Sequence, residues 1–260
     1  MKHIIAVCLM LWSASALQSA PVPKPAPDPR KDSDSTALVE AAIDPEKLPD
    51  NPVLRIRDSA HRAKSTNNLK QIVIAAHNYH DSNNRMPANV VGKDGEAILS
   101  WRVQLLPYLE HEGLYKQFKF DEPWNGPNNI LLLEKMPKLF ESPRAIVKRK
   151  GYTVYQSFAG KGCLFRPDNM ALRMTDITDG LSNTFFAVEA STAVPWTKPA
   201  DIPFDAEKEL PDFGKVYGHK PVLAMCDGSV RVLDLKKVDK EMVKRAVTVA
   251  DGMPVDFDEK

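Results

Sequence analysis

Two histidines about one helical turn apart are the first residues in this chain that could do chemistry. His77 and His80 stand at i and i+3 in the run HNYHD. On a helix that spacing turns two imidazoles to one side, where they could share a metal ion. A third ligand would have to come from elsewhere, such as His111 or His219, and no HExxH or similarly spaced carboxylate accompanies the pair. The ordinary reading, in which one ring packs and the other is solvated or caps, is favoured. Asp176, Asp179 and Asn183 form an oxygen-rich second cluster within DITDGLSN. Calcium takes such oxygens, yet the 1-3-5 acid spacing and closing glutamate of an EF-hand are missing. A turn in which Asp179 and Asn183 bond the backbone and Gly180 takes a positive φ accounts for the same residues.

Aromatic loops supply the third set. Trp124 and Trp196 lie in the proline-bracketed stretches EPWNGP and VPWTKP, and His219 closes the loop Gly214 to His219. These three are the candidate ligand contacts. Exposed indoles beside polar side chains stack on sugars, whereas buried ones plug loops onto a core. Plugging is favoured, and Trp101, on an amphipathic segment, reads as core. No residue is assigned a catalytic role and no cofactor is called for. GxSxG is absent, Cys163 and Cys226 lie in no nucleophile signature, and Ala159-Gly160-Lys161-Gly162 is no phosphate loop.

The longest element positioned to carry any of this runs from Pro52 to Asn84. Leu69, Ile72, Val73, Ala76 and His80 recur at helical spacing, with Ile74 and Ala75 widening the face. Ile56, Ala60, Ala63 and Asn67 continue it upstream as a weaker stripe. Pro52 suits a first turn and Pro87 forbids continuation past Ser82-Asn83-Asn84. The expectation is one helix of about 30 residues, about 45 Å long, solvated in its first half and packed in its second. Asp94-Gly95 reads as a hairpin tip. Pro107 should split the next helical stretch and Gly113 end its second part. Tyr152 to Phe158 and Thr184 to Glu189 read as strands. Val222–Cys226 and Ser229–Leu233 flank Asp227-Gly228, a strong hairpin signal, and Val238–Val249 reads as a short amphipathic helix. Helix first and antiparallel strands later imply an α+β fold.

Composition bounds the rest. At 260 residues, 43% hydrophobic, the chain supports one ordinary core, or at most two small ones. Its 35 Lys and Arg balance 34 Asp and Glu, so it lacks the basic footprint of a nucleic-acid binder. Met1-Lys2-His3, then IIAVCLMLW and the small residues SASALQSA, read as a signal peptide over 1–20, too short in its apolar run to span a membrane. Residues 21–51, rich in proline and charge, read as a disordered linker in which Ala37–Ile43 makes at most a transient turn of helix. A domain over 52–250 and a polar tail over 251–260 complete the organisation. If the chain is exported, Cys163 and Cys226 are either a disulfide or two buried thiols.

The runs NNLKQI…AAHNYHDSNNRMP, SWR…LLPYLE…LY…F, DEPWNGPNN, TDGLSNT, VPWTKPAD and H…DGSV, in that order, resemble the pilin-like family catalogued as domain of unknown function 1559. That family is abundant in planctomycetes and is sometimes described as an extracellular solute-binding type. The resemblance covers roughly residues 58–249. It implies a pilin-like roll, with a long N-terminal helix packed on an antiparallel β-sheet, and it implies no established activity. Two departures matter. Glu141 stands near where the family usually has a cysteine, and the signal peptide and Pro-rich tether replace the usual apolar prepilin helix. Filament subunits pack through that helix. The expectation is therefore an exported, non-enzymatic domain, periplasmic or extracellular, without a stable membrane span after processing. Its expected partner is an envelope or extracellular protein, or a glycan. The alternatives are a saccharide- or solute-binding protein and, third, a metal-dependent hydrolase.

Overall fold

The computed structural model describes residues 37–253 and 255–257. The expected signal peptide, and the linker up to residue 36, lie outside the described residues. Among the described residues, no helix is long and apolar enough to cross a membrane.

The fold is α+β: one long helix lies on an antiparallel sheet. Helix α1 spans Pro52–Asn83, 32 residues. Asn51 caps it by accepting the Leu54 N–H, and Pro52 occupies the first turn, where a missing N–H costs nothing. Asn84 ends it in the left-handed region, with φ 55°. Leu69, Ile72, Val73 and Ala76 are fully buried, each worth about 1.5–3 kcal/mol for the larger side chains. Ile74 is not part of that face. It is 48% exposed, because at 100° per residue it falls almost opposite the Leu69–Ile72–Val73–Ala76 stripe. The upstream stripe differs likewise: Ile56, Ala60, Ala63 and Asn67 face solvent, and the inward residues of the first half are Asp58 and Ser65.

Strands β1 (Ala37–Ala41), β4 (Ala145–Val147), β5 (Tyr152–Gln156), β7 (Phe185–Pro195), β9 (Val222–Met225) and β10 (Val230–Val232) form the main sheet. The order is β10-β9-β7-β1-β4, with β5 also paired to β7, and every pairing is antiparallel. Strand β7 is the spine. It holds β5 through Tyr152↔Pro195 and Gln156↔Val188, and β9 through Val188↔Leu223. Helix α1 packs chiefly on β9, then on the turn Leu106–Leu109 and on β10. The Asp227-Gly228 hairpin forms as expected, with Met225 N–H bonded to the Ser229 carbonyl.

Residues 37–41 depart from expectation. They form strand β1, paired with β7 at Leu38↔Thr192 and with β4 at Val39↔Val147, not a turn of helix. The run ALVEA favours helix locally, and sheet neighbours on two strands override that propensity. Smaller pieces complete the fold. Strands β2 (Val90–Val91) and β3 (Ala97–Leu99) flank the Asp94-Gly95 tip. Helix α2 (Trp101–Gln104), a 3-10 turn (Leu106–Leu109) and helix α3 (Glu112–Tyr115) replace one helix split by Pro107, and Gly113 sits inside α3 rather than ending it. Strands β6 (Phe158–Ala159) and β8 (Ile202–Pro203) form a parallel pair, and helix α4 is Lys240–Val247.

Candidate functional site

The aromatic candidates are inside the protein. Trp196 is fully buried; its indole Nε1–H donates to the Leu133 carbonyl at 3.0 Å. Its ring stacks on Phe140 and meets Phe118 edge-on, at 5.8 Å each. Gly151, with φ 74°, makes this possible: a Cβ there would come within 2.2 Å of the same Leu133 carbonyl oxygen. Trp124 is 6% exposed. Its loop is clamped by polar groups. The Glu122 carboxylate accepts from Asn128 N–H, Asn128 Nδ2 and Asn129 N–H, while Asn129 Nδ2 donates to the carbonyls of Lys119, Glu122 and Pro123. Burial works to raise the Glu122 carboxyl, but those hydrogen bonds together hold it below the ordinary glutamate range. The Lys198 ammonium sits 5.4 Å from the Trp124 ring, so the two tryptophan loops touch. They meet as packed structure, without an open indole face between them. His219 lies on a separate turn, at φ 63°, where its carbonyl accepts the Leu235 N–H.

The oxygen cluster is spread over different partners. Asp176 is tied to Arg173, through the Arg173 N–H at 2.9 Å and the guanidinium at 2.8 Å. Asp179 accepts the N–H groups of Asp251 and Gly252 at 2.8 and 2.7 Å, pinning the C-terminal segment. Asn183 donates to the Asp179 carbonyl, and Gly180 has φ 96°. This is the turn, with the three side chains turned to separate tasks. His77 Nε2 bonds the Cys226 carbonyl at 2.7 Å, joining α1 to the β9–β10 hairpin, and His80 lies beside Asp81. Among the described residues no group of three or more His, Cys, Asp or Glu side chains could hold a metal. Cys163 and Cys226 are free and buried, and burial pushes the Cys163 thiol up to about 12 and the Cys226 thiol higher still.

Two buried polar networks escaped the sequence reading. In the first, Glu189 on β7 is wholly buried and fully satisfied. Its carboxylate accepts from Ser65 Oγ (2.5 Å) and Ser142 Oγ (2.8 Å) on one oxygen. On the other it accepts from Arg144 Nη1 (2.5 Å) and the Val222 N–H (3.1 Å). Ser65 gives its proton to Glu189, so the Tyr155 hydroxyl, 2.8 Å away, donates to Ser65. Asn68 Nδ2 donates to the same hydroxyl at 3.4 Å. Burial, then the Glu189 charge, raises the Tyr155 phenol above its ordinary value and keeps it protonated. In the second, Arg102 and Asp201 pair at 2.7 Å, both buried. Asp201 also accepts from Trp101 Nε1 and the Ser157 N–H, and Arg102 bonds the Tyr155 carbonyl. Burial raises the Asp201 carboxyl, with Arg102 and those donors pulling back. A lone charge inside an apolar run, as in FFAVEA, was the available signal: such a residue is buried only when paired.

These networks join α1, β5, β7 and β9 and lie almost wholly inside the protein. They hold the helix on the sheet. Residues 55–164 match the model of a family described as a protein of unknown function, DUF1559 (SBP_bac_10). No curated protein matches the chain, and no solved structure does.

Proposed function

We propose that this DUF1559-like chain is an exported, non-enzymatic, pilin-like domain that works by contact with an envelope or extracellular protein. The observation that carries the proposal is the outward face of α1. Val53 and Ile56 are 66% and 73% exposed, and Ala60 and Ala63 continue their line in solvent. Spacings of three and four place these residues on one side. An apolar line turned away from the core, on a helix tied to the sheet through Ser65 and Glu189, supports a docking surface there. The signal-peptide and tether reading of the sequence over residues 1–36 supports export.

The saccharide alternative draws less support, because Trp124 and Trp196 present packed rings, not open platforms. A photo-crosslinking amino acid at Ile56 tests the proposal, with Leu131, 68% exposed on a different element, as control. The expected result is a discrete adduct with an envelope protein from position 56 and none from 131. Equal or absent adducts at both positions would refute it.

A further inference from the structure

The inner side of the same helix half tells a different story. Arg55, Asp58, Ser59 and Arg62 fall at i, i+3, i+4 and i+7, on one face. That face looks into a groove of about 330 Å³, not onto the sheet. Tyr217, Gly218 and Lys220 form the opposite wall, and Pro45, Leu48 and Pro49 supply an apolar side. Behind it lies a chamber of about 10 Å³, touched by His61 and Arg144. That is room for one water at most.

The charges do not balance within the groove. Asp58 is its one carboxylate. Its oxygens lie 2.6 Å from Arg62 Nε and 3.9 Å from Arg144 Nε. Arg144 is otherwise engaged with Glu189, and Lys220 with Asp234 at 3.5 Å. Arg55 makes no side-chain hydrogen bond or ion pair among the described residues. Arg144 Nε, on a side chain only 4% exposed, and His61 Nδ1 lack a hydrogen-bond partner at the inner chamber, and Arg62 Nε, ion-paired with Asp58, lacks one at the groove. Arg62 Nε is close to Asp58 but out of line for a hydrogen bond. A buried donor without an acceptor costs about 1–3 kcal/mol, and folded proteins rarely leave one so.

We propose that the groove binds a small oxyanion, the carboxylate or phosphate group of a free solute or of an envelope polymer. Arg55 and Arg62 grip it, Lys220 closes the far side, and the Pro45–Leu48–Pro49 wall takes the apolar remainder. Guanidinium forks suit planar or tetrahedral oxyanions and give bonds stronger than neutral ones. A volume near the lower end for small-molecule sites fits a ligand of that size. The site is independent of the outward face of α1, so the fate of either proposal leaves the other standing.

The test is titration of the folded protein with inorganic phosphate and, separately, with succinate, each against chloride at equal ionic strength. Calorimetry and the thermal midpoint are read. Saturable binding of one or both is expected, about tenfold weaker in Arg55→Gln, an exposed position without a side-chain partner among the described residues. Binding of phosphate alone assigns a phosphate ligand, and of succinate alone a carboxylate. A polymer source adds tight binding of an anionic polysaccharide, lost in the same variant. No midpoint change beyond chloride, or equal binding by Arg55→Gln and Arg62→Gln, overturns the proposal.

Discussion

Replacing Glu189 by glutamine isolates the charge at the centre of the fold, since the two side chains have nearly the same shape. The carboxylate accepts from four donors. The amide would turn its oxygen toward Arg144 and the Val222 N–H, leaving its NH₂ against Ser65 and Ser142, whose hydroxyls can rotate to accept. Hydrogen bonding is therefore largely recoverable, and the loss is the counter-charge of Arg144. Removing one partner of a buried pair costs about 3–5 kcal/mol. Asp58, 3.9 Å from Arg144, remains as a weak substitute, which places Glu189→Gln at the low end, about 3 kcal/mol. At about 2–4 °C per kcal/mol for a domain of this size, the midpoint should fall by about 6–12 °C. Urea denaturation followed by fluorescence of the buried Trp101, Trp124 and Trp196 measures it. Arg144→Met alone should cost a similar amount, and the double variant less than the sum. A loss under about 1 kcal/mol for Glu189→Gln, or additive costs in the cycle, would refute the view that this charge clamps α1 to the sheet.

Other outcomes follow from the same geometry. Gly151→Ala must lose the left-handed backbone and displace the Leu133 carbonyl that holds Trp196, a cost of at least about 2 kcal/mol by denaturation. The Glu122 carboxyl is held below its unfolded value of about 4.3, so its stabilisation is complete above that pH and fades as pH falls through the lower folded value. Glu122→Gln should flatten that part of the acid stability profile. Both thiols should resist a disulfide reagent in the native protein and react fully in denaturant, because burial keeps them protonated. Asp179→Ala should speed amide exchange at Asp251 and Gly252, whose N–H groups it holds, while added calcium leaves the thermal midpoint of the unaltered protein unchanged.

What could be read in advance was what local sequence controls. Pro52, the absence of Gly or Pro through Arg85, and Asn84 bound α1 by their own backbone preferences. Asp227-Gly228 fixes its hairpin in the same way. The missing parts depend on residues far apart in the chain. Strand β1 looks helical until β7 and β4 flank it. The solvated first half of α1 is legible in its charged residues Arg55, Arg57 and Lys64, but the outward turn of Ile56 and Ile74 depends on which side of α1 meets the sheet. Glu189, Ser65, Ser142 and Arg144 are up to 124 positions apart, and only the folded sheet assembles them. Trp124 and Trp196 were correctly placed in loops, but proline brackets alone do not tell an inward ring from an outward one; the Asn129 and Gly151 clamps do that.

The intact mass of the protein recovered from fractionated cells tests the central claim, export of a contact domain, most directly. The account predicts a chain shortened by about 20 residues, found outside the cytoplasmic membrane. A chain that keeps its first residues and stays in the cytoplasm would contradict it.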